Sequence, residues 1–191
     1  MSVREIVTIG DPVLRRRGRD VTPDELATPE IQQLIDDLIE TRRAANGAGL
    51  AAPQVGEGVR IAVVENEGDN PRYPYKPPIE LRVLVNPTLE PADSEMVVIN
   101  EGCLSVPGLR GDLERCVSVR ARYLDREGRE QEEVVRGLTA GTFQHEVDHL
   151  DGILFVDRAD PRSLATWEQF DRHGREEFVA RAEELERRVG S

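Results

Sequence analysis

The stretch QHEVDHLDG, residues 144–152, places two histidines four positions apart, with a glutamate directly after the first. Four residues is just over one helical turn, so the side chains of His145 and His149 point the same way and can hold one metal ion. Glu146 would then reach a water molecule at that ion, as in many metal-dependent hydrolases. The alternative is a pair of surface histidines on a polar helix face, and the glutamate at its set position favours the hydrolase.

The same stretch predicts the helix that carries this site. Phe143, Val147 and Leu150 form one apolar stripe at helical spacing, and Gly152 is a natural stop. We therefore predict a helix over residues 139–150, with the apolar stripe packed against the core of the protein.

Apolar spacing also predicts an early helix. Its apolar positions are Ile31, Leu34, Ile35, Leu38 and Ile39. Thr28 can cap this helix, Pro29 suits its first position, and the glycines of residues 45–49 should stop it.

Apolar runs elsewhere predict strands. They lie at residues 59–64, 81–85, 96–99, 117–123 and 132–135. The last two should form a hairpin around the turn at residues 125–128, and the proline- and glycine-rich segment 65–78 should be a mobile surface loop. A last amphipathic helix is expected after Pro161, carried by apolar residues over 164–185 and weakened in its middle by Gly174. Helices at both ends of antiparallel strands indicate an α+β fold.

Length and charge restrict the function. A chain of 191 residues fits a single domain over residues 1–191. Its 25 basic and 37 acidic residues leave a formal charge of −12, which repels phosphate backbones and anionic membrane surfaces, so we expect no DNA binding and no membrane contact. The chain has no long apolar run, and MSVREIVTIGDPVLRRRGRD lacks the apolar centre of a signal peptide, so we expect a cytoplasmic protein.

A catalytic metal site usually has three protein ligands, so the two histidines need a partner. Cys103 stands in NEGCLSVPG, residues 100–108, on what the glycines and proline predict to be an irregular segment at a strand end. That position suits a ligand, and spacing alone favours Cys103 over a carboxylate only modestly. Cys116 starts an alternating strand and is more typical of a small core or edge residue. His173 lies among charged residues of the last helix, where a solvated histidine is expected.

Three segments together resemble the signature motifs of peptide deformylases, in the order of that family. They are GAGLAAPQVG at residues 47–56, EGCLS at residues 101–105 and QHEVDHLDG at residues 144–152. HExxH alone is shared with many metallopeptidases, so the specificity lies in the combination. The resemblance implies an enzyme that removes the formyl group from N-formylmethionyl nascent peptides and releases formate. It also implies a fold in which strands wrap around the motif helix.

The resemblance assigns roles to individual residues. It implies that Cys103, His145 and His149 bind one divalent metal ion and that Glu146 is the general acid and base. Ferrous iron is the usual physiological ion in the family, and zinc, nickel or cobalt can occupy the site. The thiolate and two neutral imidazoles leave a divalent ion with a net charge of about +1, still enough to acidify water.

The resemblance also implies how substrate is held. The side-chain amide of Gln54 and the backbone N–H of Leu104 would stabilise the oxyanion. The peptide would pair as an added strand with backbone groups near Ala48 and Gly102.

A pocket for the methionine side chain is implied next to these groups. Its lining would include Gly47, Ala48, Gly49, Glu101, Gly141 and Thr142. Gly141 and Thr142 stand where larger residues are frequent in the family, so we expect a wide pocket rim.

Two other functions stay open from the residues alone. A metallopeptidase would more often take a downstream His or Glu as third ligand, but the chain after His149 offers Asp151 and Asp157 and no histidine before His173. A binding module with a structural metal would need a fourth soft ligand, for which Cys116 is the candidate.

Nascent peptides as substrates raise the question of a transient ribosome contact. Ribosomal RNA repels a net charge of −12, so docking would need a local basic patch such as Arg181, Arg187 and Arg188 on the last helix. An ordinary exposed helix face is the favoured explanation for these arginines.

Overall fold

A computed structural model describes residues 2–190, except residues 69, 71 and 74. The strands are β1 (Gly49–Ala51), β2 (Ile61–Asn66), β3 (Ile79–Pro91), β4 (Met96–Cys103), β5 (Val106–Cys116), β6 (Ser118–Leu124), β7 (Glu130–Arg136) and β8 (Ala165–Thr166). The α-helices are α1 (Pro23–Leu26), α2 (Pro29–Ala44), α3 (Gly137–Leu150), α4 (Trp167–His173) and α5 (Arg175–Val189). Short 3-10 helices lie at Pro12–Arg15, Ala52–Val55 and Phe155–Asp157.

The strands form two antiparallel sheets. One has the order β1-β2-β3-β6-β7 and the other the order β4-β5-β8. β1 and β4 are terminal strands, so each presents a backbone edge that no other strand of its sheet covers. The predicted α+β fold with antiparallel strands is confirmed.

Helix α3 lies against both sheets and carries the HExxH motif. It contacts β1, β2, β3, β6 and β7 of the first sheet and β5 of the second. Twelve of its 14 residues are buried, so its polar side chains must be paired or functional. Gly152 has a φ of 77° and ends the helix as predicted, because glycine enters this left-handed region without strain. The predicted helix is confirmed and begins two residues earlier, at Gly137.

Helix α2 forms as the sequence predicts. Thr28 caps it through a hydrogen bond to its Oγ1 from the Ile31 N–H, and Pro29 takes the first position. The helix ends before Asn46, which has a φ of 51°. The buried guanidinium of Arg42 donates to the Gly47 carbonyl at 3.0 Å and so fixes the chain that leads into β1.

Strand β5 was not predicted, because its buried positions are not apolar throughout. Arg110 and Arg115 are almost fully buried in it, which breaks the alternation that identifies a half-buried strand. Cys103 does end a strand, as expected, but the residues after its turn belong to β5 rather than to an irregular segment. Cys116 ends β5 instead of starting the next strand.

Residues 65–78 were predicted to form a mobile surface loop, and this prediction was wrong for many of the residues that the structure describes there. Its first two residues belong to β2, and Asn70 and Tyr73 are buried. The ring of Tyr75 meets that of Phe178 edge-on, with centroids 5.1 Å apart. The loop is therefore held by aromatic contacts with the C-terminal helices, while residues 69, 71 and 74 lie outside the described part.

The C-terminal segment forms two helices rather than one that follows Pro161. The helices α4 and α5 meet at Gly174, and Leu164 lies before them, 38% exposed. A carboxylate oxygen of Glu186 on α5 accepts from the Leu138 N–H at 2.7 Å, at the start of α3. A cap of this kind is worth about 1 kcal/mol, so α5 helps to hold the motif helix. None of the described helices is long and apolar enough to cross a membrane.

Candidate active site and metal centre

Three side chains predicted as metal ligands converge in the core. Cys103 ends β4, and His145 and His149 lie one turn apart on α3. One ligand atom from each lies within 4.8 Å of the other two, and the Cys103 Sγ and the His149 Nε2 are 3.2 Å apart. The described residues add no fourth His, Cys, Asp or Glu to this group, and Cys116 is not in it. The arrangement fits a three-ligand site with an open position.

The sulfur of Cys103 receives two hydrogen-bond donors. The backbone N–H of Ser105 lies 3.3 Å from it, and the side-chain amide of Gln54 lies 3.5 Å away. Gln54 is itself fixed, because its Oε1 accepts from the Ala51 N–H at 2.9 Å and its amide also donates to Ser105 Oγ at 3.1 Å. Donors aimed at a sulfur suit a thiolate ligand.

The ring of His145 is oriented by a buried carboxylate. Its Nδ1 lies 2.8 Å from Glu101 Oε2, which leaves Nε2 free to face the cluster. Arg115 holds Glu101 with two hydrogen bonds of 2.9 and 3.0 Å and also donates to Asp148 at 2.6 Å. Arg115 was assigned no role from the sequence pattern. A prediction of β5 would have placed it on the buried face of that strand.

The charges around the cluster favour a cation. Burial alone would raise the pKa of Glu101, but Arg115 and His145 hold it well below its ordinary value. Burial alone would lower the pKa of His145, but Glu101 and Cys103 raise it well above its ordinary value. Burial and the neighbouring His145 lower the pKa of His149, which stays neutral as a ligand must. A positive charge is thus stabilised among these side chains, and a metal ion bound to His145 would take the place of the proton that the ring otherwise holds.

Glu146 lies beside the cluster with a carboxylate oxygen to spare. Its Oε2 is buried and has no hydrogen-bond partner among the described residues. Burial raises the pKa of this carboxyl group to about 7, close to the value that suits a general base at neutral pH. The carboxylate lies against Gly49, where a Cβ atom would stand only 2.3 Å from Glu146 Oε1. The glycine therefore makes room for the carboxylate, a reason that the sequence did not suggest.

A single cavity of about 50 Å³ joins most of the predicted site residues. Those in its lining are Gly47, Ala48, Gly49, Gln54, Glu101, Gly102, Cys103, Leu104, Gly141, Thr142, His145 and Glu146. His149 is not part of the cavity lining, but it belongs to the ligand cluster with Cys103 and His145, which both line the cavity.

The packing around Gly141 and Thr142 gives no support to the expected wide pocket rim. A Cβ atom on Gly141 would stand 2.7 Å from the Ile99 Cδ1, so the isoleucine already fills the space that a larger residue at 141 would take. Thr142 is covered by Lys76, whose ammonium donates to its hydroxyl at 2.8 Å. Neighbouring side chains have closed the gap that the two small residues leave.

Part of the cavity wall was missed. Tyr73, Tyr75 and Lys76 from the loop, Arg110 from β5 and Phe178 from α5 all line it. One signal was available, because two of the three tyrosines in the chain lie in this loop, and aromatic residues are uncommon in solvated loops.

Comparison with known proteins agrees with the geometry. Residues 3–165 match the polypeptide deformylase family. A peptide deformylase of Leptospira biflexa is 43% identical over 164 residues, which cover 86% of this chain and 92% of that protein. A crystal structure of a class I type b peptide deformylase from Acinetobacter baumannii with Met-Ala-Ser bound is 42% identical with a TM-score of 0.79, and covers 83% of this chain and 99% of that one. A crystal structure of a peptide deformylase from Thermotoga maritima is 35% identical with a TM-score of 0.73. The match covers 84% of this chain and 100% of that one.

The matched region includes all three motif segments and the Cys/His/His cluster. The open alternatives, a metallopeptidase and a structural metal module, have no such support. The chain belongs to the polypeptide deformylase family and is a metal-dependent hydrolase that removes the formyl group from the N-terminal formylmethionine of newly made proteins.

Proposed function

We propose that Cys103, His145 and His149 hold one divalent metal ion and that Glu146 moves the protons of deformylation. The observation that carries the proposal is the cluster of three ligand atoms within 4.8 Å, next to a buried carboxylate oxygen without a partner among the described residues. Residues 1–191 would act as one catalytic domain in the cytoplasm.

Membership of the family favours ferrous iron as the physiological ion, and zinc, nickel or cobalt could take its place. One thiolate and two imidazoles are intermediate in softness and accept all four metals. When bound, the ion supplies a Lewis acid that polarises water and the formyl oxygen. The thiolate lowers that acidity relative to a third histidine.

Glu146 accepts a proton from the attacking water and passes it to the amine that leaves. Its free oxygen and its raised pKa support both steps, because a general base works best when its pKa is close to the working pH. The negative oxygen that forms on the formyl carbon would accept hydrogen bonds from the Gln54 amide and the Leu104 N–H. Gln54 is buried and fixed at its Oε1, and its amide donates to Ser105 Oγ and to the Cys103 sulfur. The N–H that makes the longer contact, 3.5 Å to the sulfur, would be the one that turns to the oxyanion.

The peptide would lie between the open edges of β1 and β4, near Ala48 and Gly102. Both strands are terminal in their sheets, which supports pairing with an added strand. The side chain of the first residue would enter the cavity beside Gly141 and Thr142. The Acinetobacter baumannii relative with Met-Ala-Ser bound supports peptides of this kind as ligands.

A transient ribosome contact through the last helix stays a prediction. Arg181, Arg187 and Arg188 each form an ion pair, with Glu177, Glu184 and Glu95 respectively. Their charge is thus partly balanced, which weakens the attraction of this patch for RNA.

The ligand assignment predicts that Cys103→Ser loses bound metal. A hydroxyl is a much poorer ligand than a thiolate for a divalent transition metal, so metal content should fall well below one ion per chain and formate release should be lost with it. The measurement is elemental analysis of purified protein beside formate release from formyl-Met-Ala-Ser. The matched control is Cys116→Ser, which removes the other cysteine, half-buried and outside the cluster, and should keep both. A Cys103→Ser protein with a full metal complement would overturn the assignment.

A further inference from the structure

The cavity proposed to hold the side chain of the first substrate residue is not purely apolar. Lys76, the only lysine in the chain, is part of its lining. Lys76 comes from the loop between β2 and β3, and its ammonium donates to Thr142 Oγ1 at 2.8 Å. Thr142 in turn donates to the Leu138 carbonyl at 3.0 Å, so the one donor of its hydroxyl is used. The lysine thus crosses from the loop to helix α3 in the wall of the cavity.

The ammonium has donors to spare. A lysine carries three N–H bonds, and among the described residues it makes one hydrogen bond, to Thr142. It also lies 5.1 Å from the ring centroid of Tyr73, a contact that holds the charge without using a donor. Burial lowers the pKa of Lys76 to about 8 while Glu101 and Glu146 oppose the shift, so the group is largely charged at neutral pH.

A second cation reinforces the polarity of this wall. Arg110 also lines the cavity, is 1% exposed, and leaves its Nη1 without a hydrogen-bond partner among the described residues. Its guanidinium is fixed by Asn100 Oδ1 at 2.6 Å and stacks on Trp167 at 4.2 Å from the ring centroid. Arg110 is buried with an unused donor, which is costly unless an acceptor reaches it, and the half-buried Lys76 adds further unused cationic donors to the same wall.

We propose that Lys76 determines side-chain specificity, and that the pocket accepts formyl peptides whose first side chain ends in a hydrogen-bond acceptor. Methionine sulfoxide is the acceptor closest in shape to methionine, and its S=O oxygen would take a hydrogen bond from the Lys76 ammonium. The reaction stays hydrolysis of the formyl group. The inference rests on the proposed placement of the first side chain in this cavity.

Three peptides of nearly equal shape isolate the effect: formyl-Nle-Ala-Ser, formyl-Met-Ala-Ser and formyl-Met(O)-Ala-Ser. An apolar pocket would reject the sulfoxide by about 100-fold or more relative to norleucine, because the S=O oxygen would be buried without a partner. We expect the wild-type enzyme to process the sulfoxide with a kcat/KM within about tenfold of the norleucine value. A larger wild-type discrimination against the sulfoxide overturns the proposal without any variant.

The variant Lys76→Met keeps most of the length of the unbranched side chain and removes its charge. It should lower the ratio of sulfoxide to norleucine kcat/KM by about tenfold or more, because a hydrogen bond to a charged donor is lost. The control Arg72→Met removes a cation of the same loop that stacks on Trp167 at 5.1 Å and is not in the cavity lining, so it should leave the ratio unchanged. An unchanged ratio in Lys76→Met contradicts the proposal. Formyl-Met-Ala-Ser distinguishes failure of the specificity proposal from failure of the proposed function. An enzyme that deformylates none of the three peptides would refute the proposed function, whereas an enzyme that deformylates formyl-Met-Ala-Ser but rejects the sulfoxide would refute only the specificity proposal.

Discussion

Glu146→Gln is expected to reduce kcat/KM for formyl-Met-Ala-Ser by at least about 10²-fold, the usual contribution of a general acid or base. The glutamine side chain has the same size and fits the same space beside Gly49, but it cannot accept a proton. Because Glu146 is not in the ligand cluster, the variant should keep its metal. Formate release measured on protein of known metal content checks both expectations.

The loss should appear mainly in kcat, since the substrate would still bind. Glu177→Gln is a suitable control, because this exposed residue of α5 undergoes the same chemical change and is not part of the cavity lining. Near-normal turnover by metal-loaded Glu146→Gln would remove Glu146 from the mechanism. Loss of metal together with activity would instead make it a structural support of the site.

Gly49→Ala is expected to be almost as damaging, although it adds only a methyl group. The new Cβ would stand 2.3 Å from Glu146 Oε1, 2.5 Å from its carboxyl carbon and 2.7 Å from its Cγ, so the carboxylate must move. Displacement of a catalytic group by about 1 Å can cost about 10²-fold in rate. We expect a drop of that size in kcat/KM with metal content preserved.

The matched control is Gly58→Ala, because a Cβ atom there meets nothing within 4 Å. It should leave activity unchanged. Gly49→Ala made in the Glu146→Gln background should cost little more than Glu146→Gln alone, because both changes act on one carboxylate. Additive losses would show that Gly49 acts on the substrate instead, and full activity of Gly49→Ala would show that the carboxylate needs no such space.

The catalytic cluster could be predicted from the sequence because its geometry is local. His145, Glu146 and His149 share one helix, and the spacing along a helix fixes which side chains point together. Cys103 and Gln54 come from other elements, and the resemblance to a family was needed to assign them. The capping of α2 by Thr28 was equally readable, because a cap depends on adjacent residues.

The cavity wall could not be predicted, because it depends on contacts between distant parts of the chain. Tyr75 contacts Phe178, which lies more than a hundred residues later in the sequence, and the residues around either one do not indicate its partner. Strand β5 was hidden because Arg110 and Arg115 occupy buried positions, paired with polar groups rather than with apolar side chains. A lysine in a proline-rich segment is typical of a solvated loop, and nothing in the sequence indicates that Lys76 hydrogen-bonds to Thr142 on α3.

In the proposed mechanism, formate release requires one metal ion held by Cys103, His145 and His149. The most direct measurement removes the metal with a chelator, restores ferrous iron without oxygen in known amounts, and follows formate release from formyl-Met-Ala-Ser. Activity should vanish with the metal and return in proportion to iron up to one ion per chain, while the peptide bonds stay intact. Undiminished formate release by protein shown to be free of metal would mean that the enzyme needs no ion for this reaction.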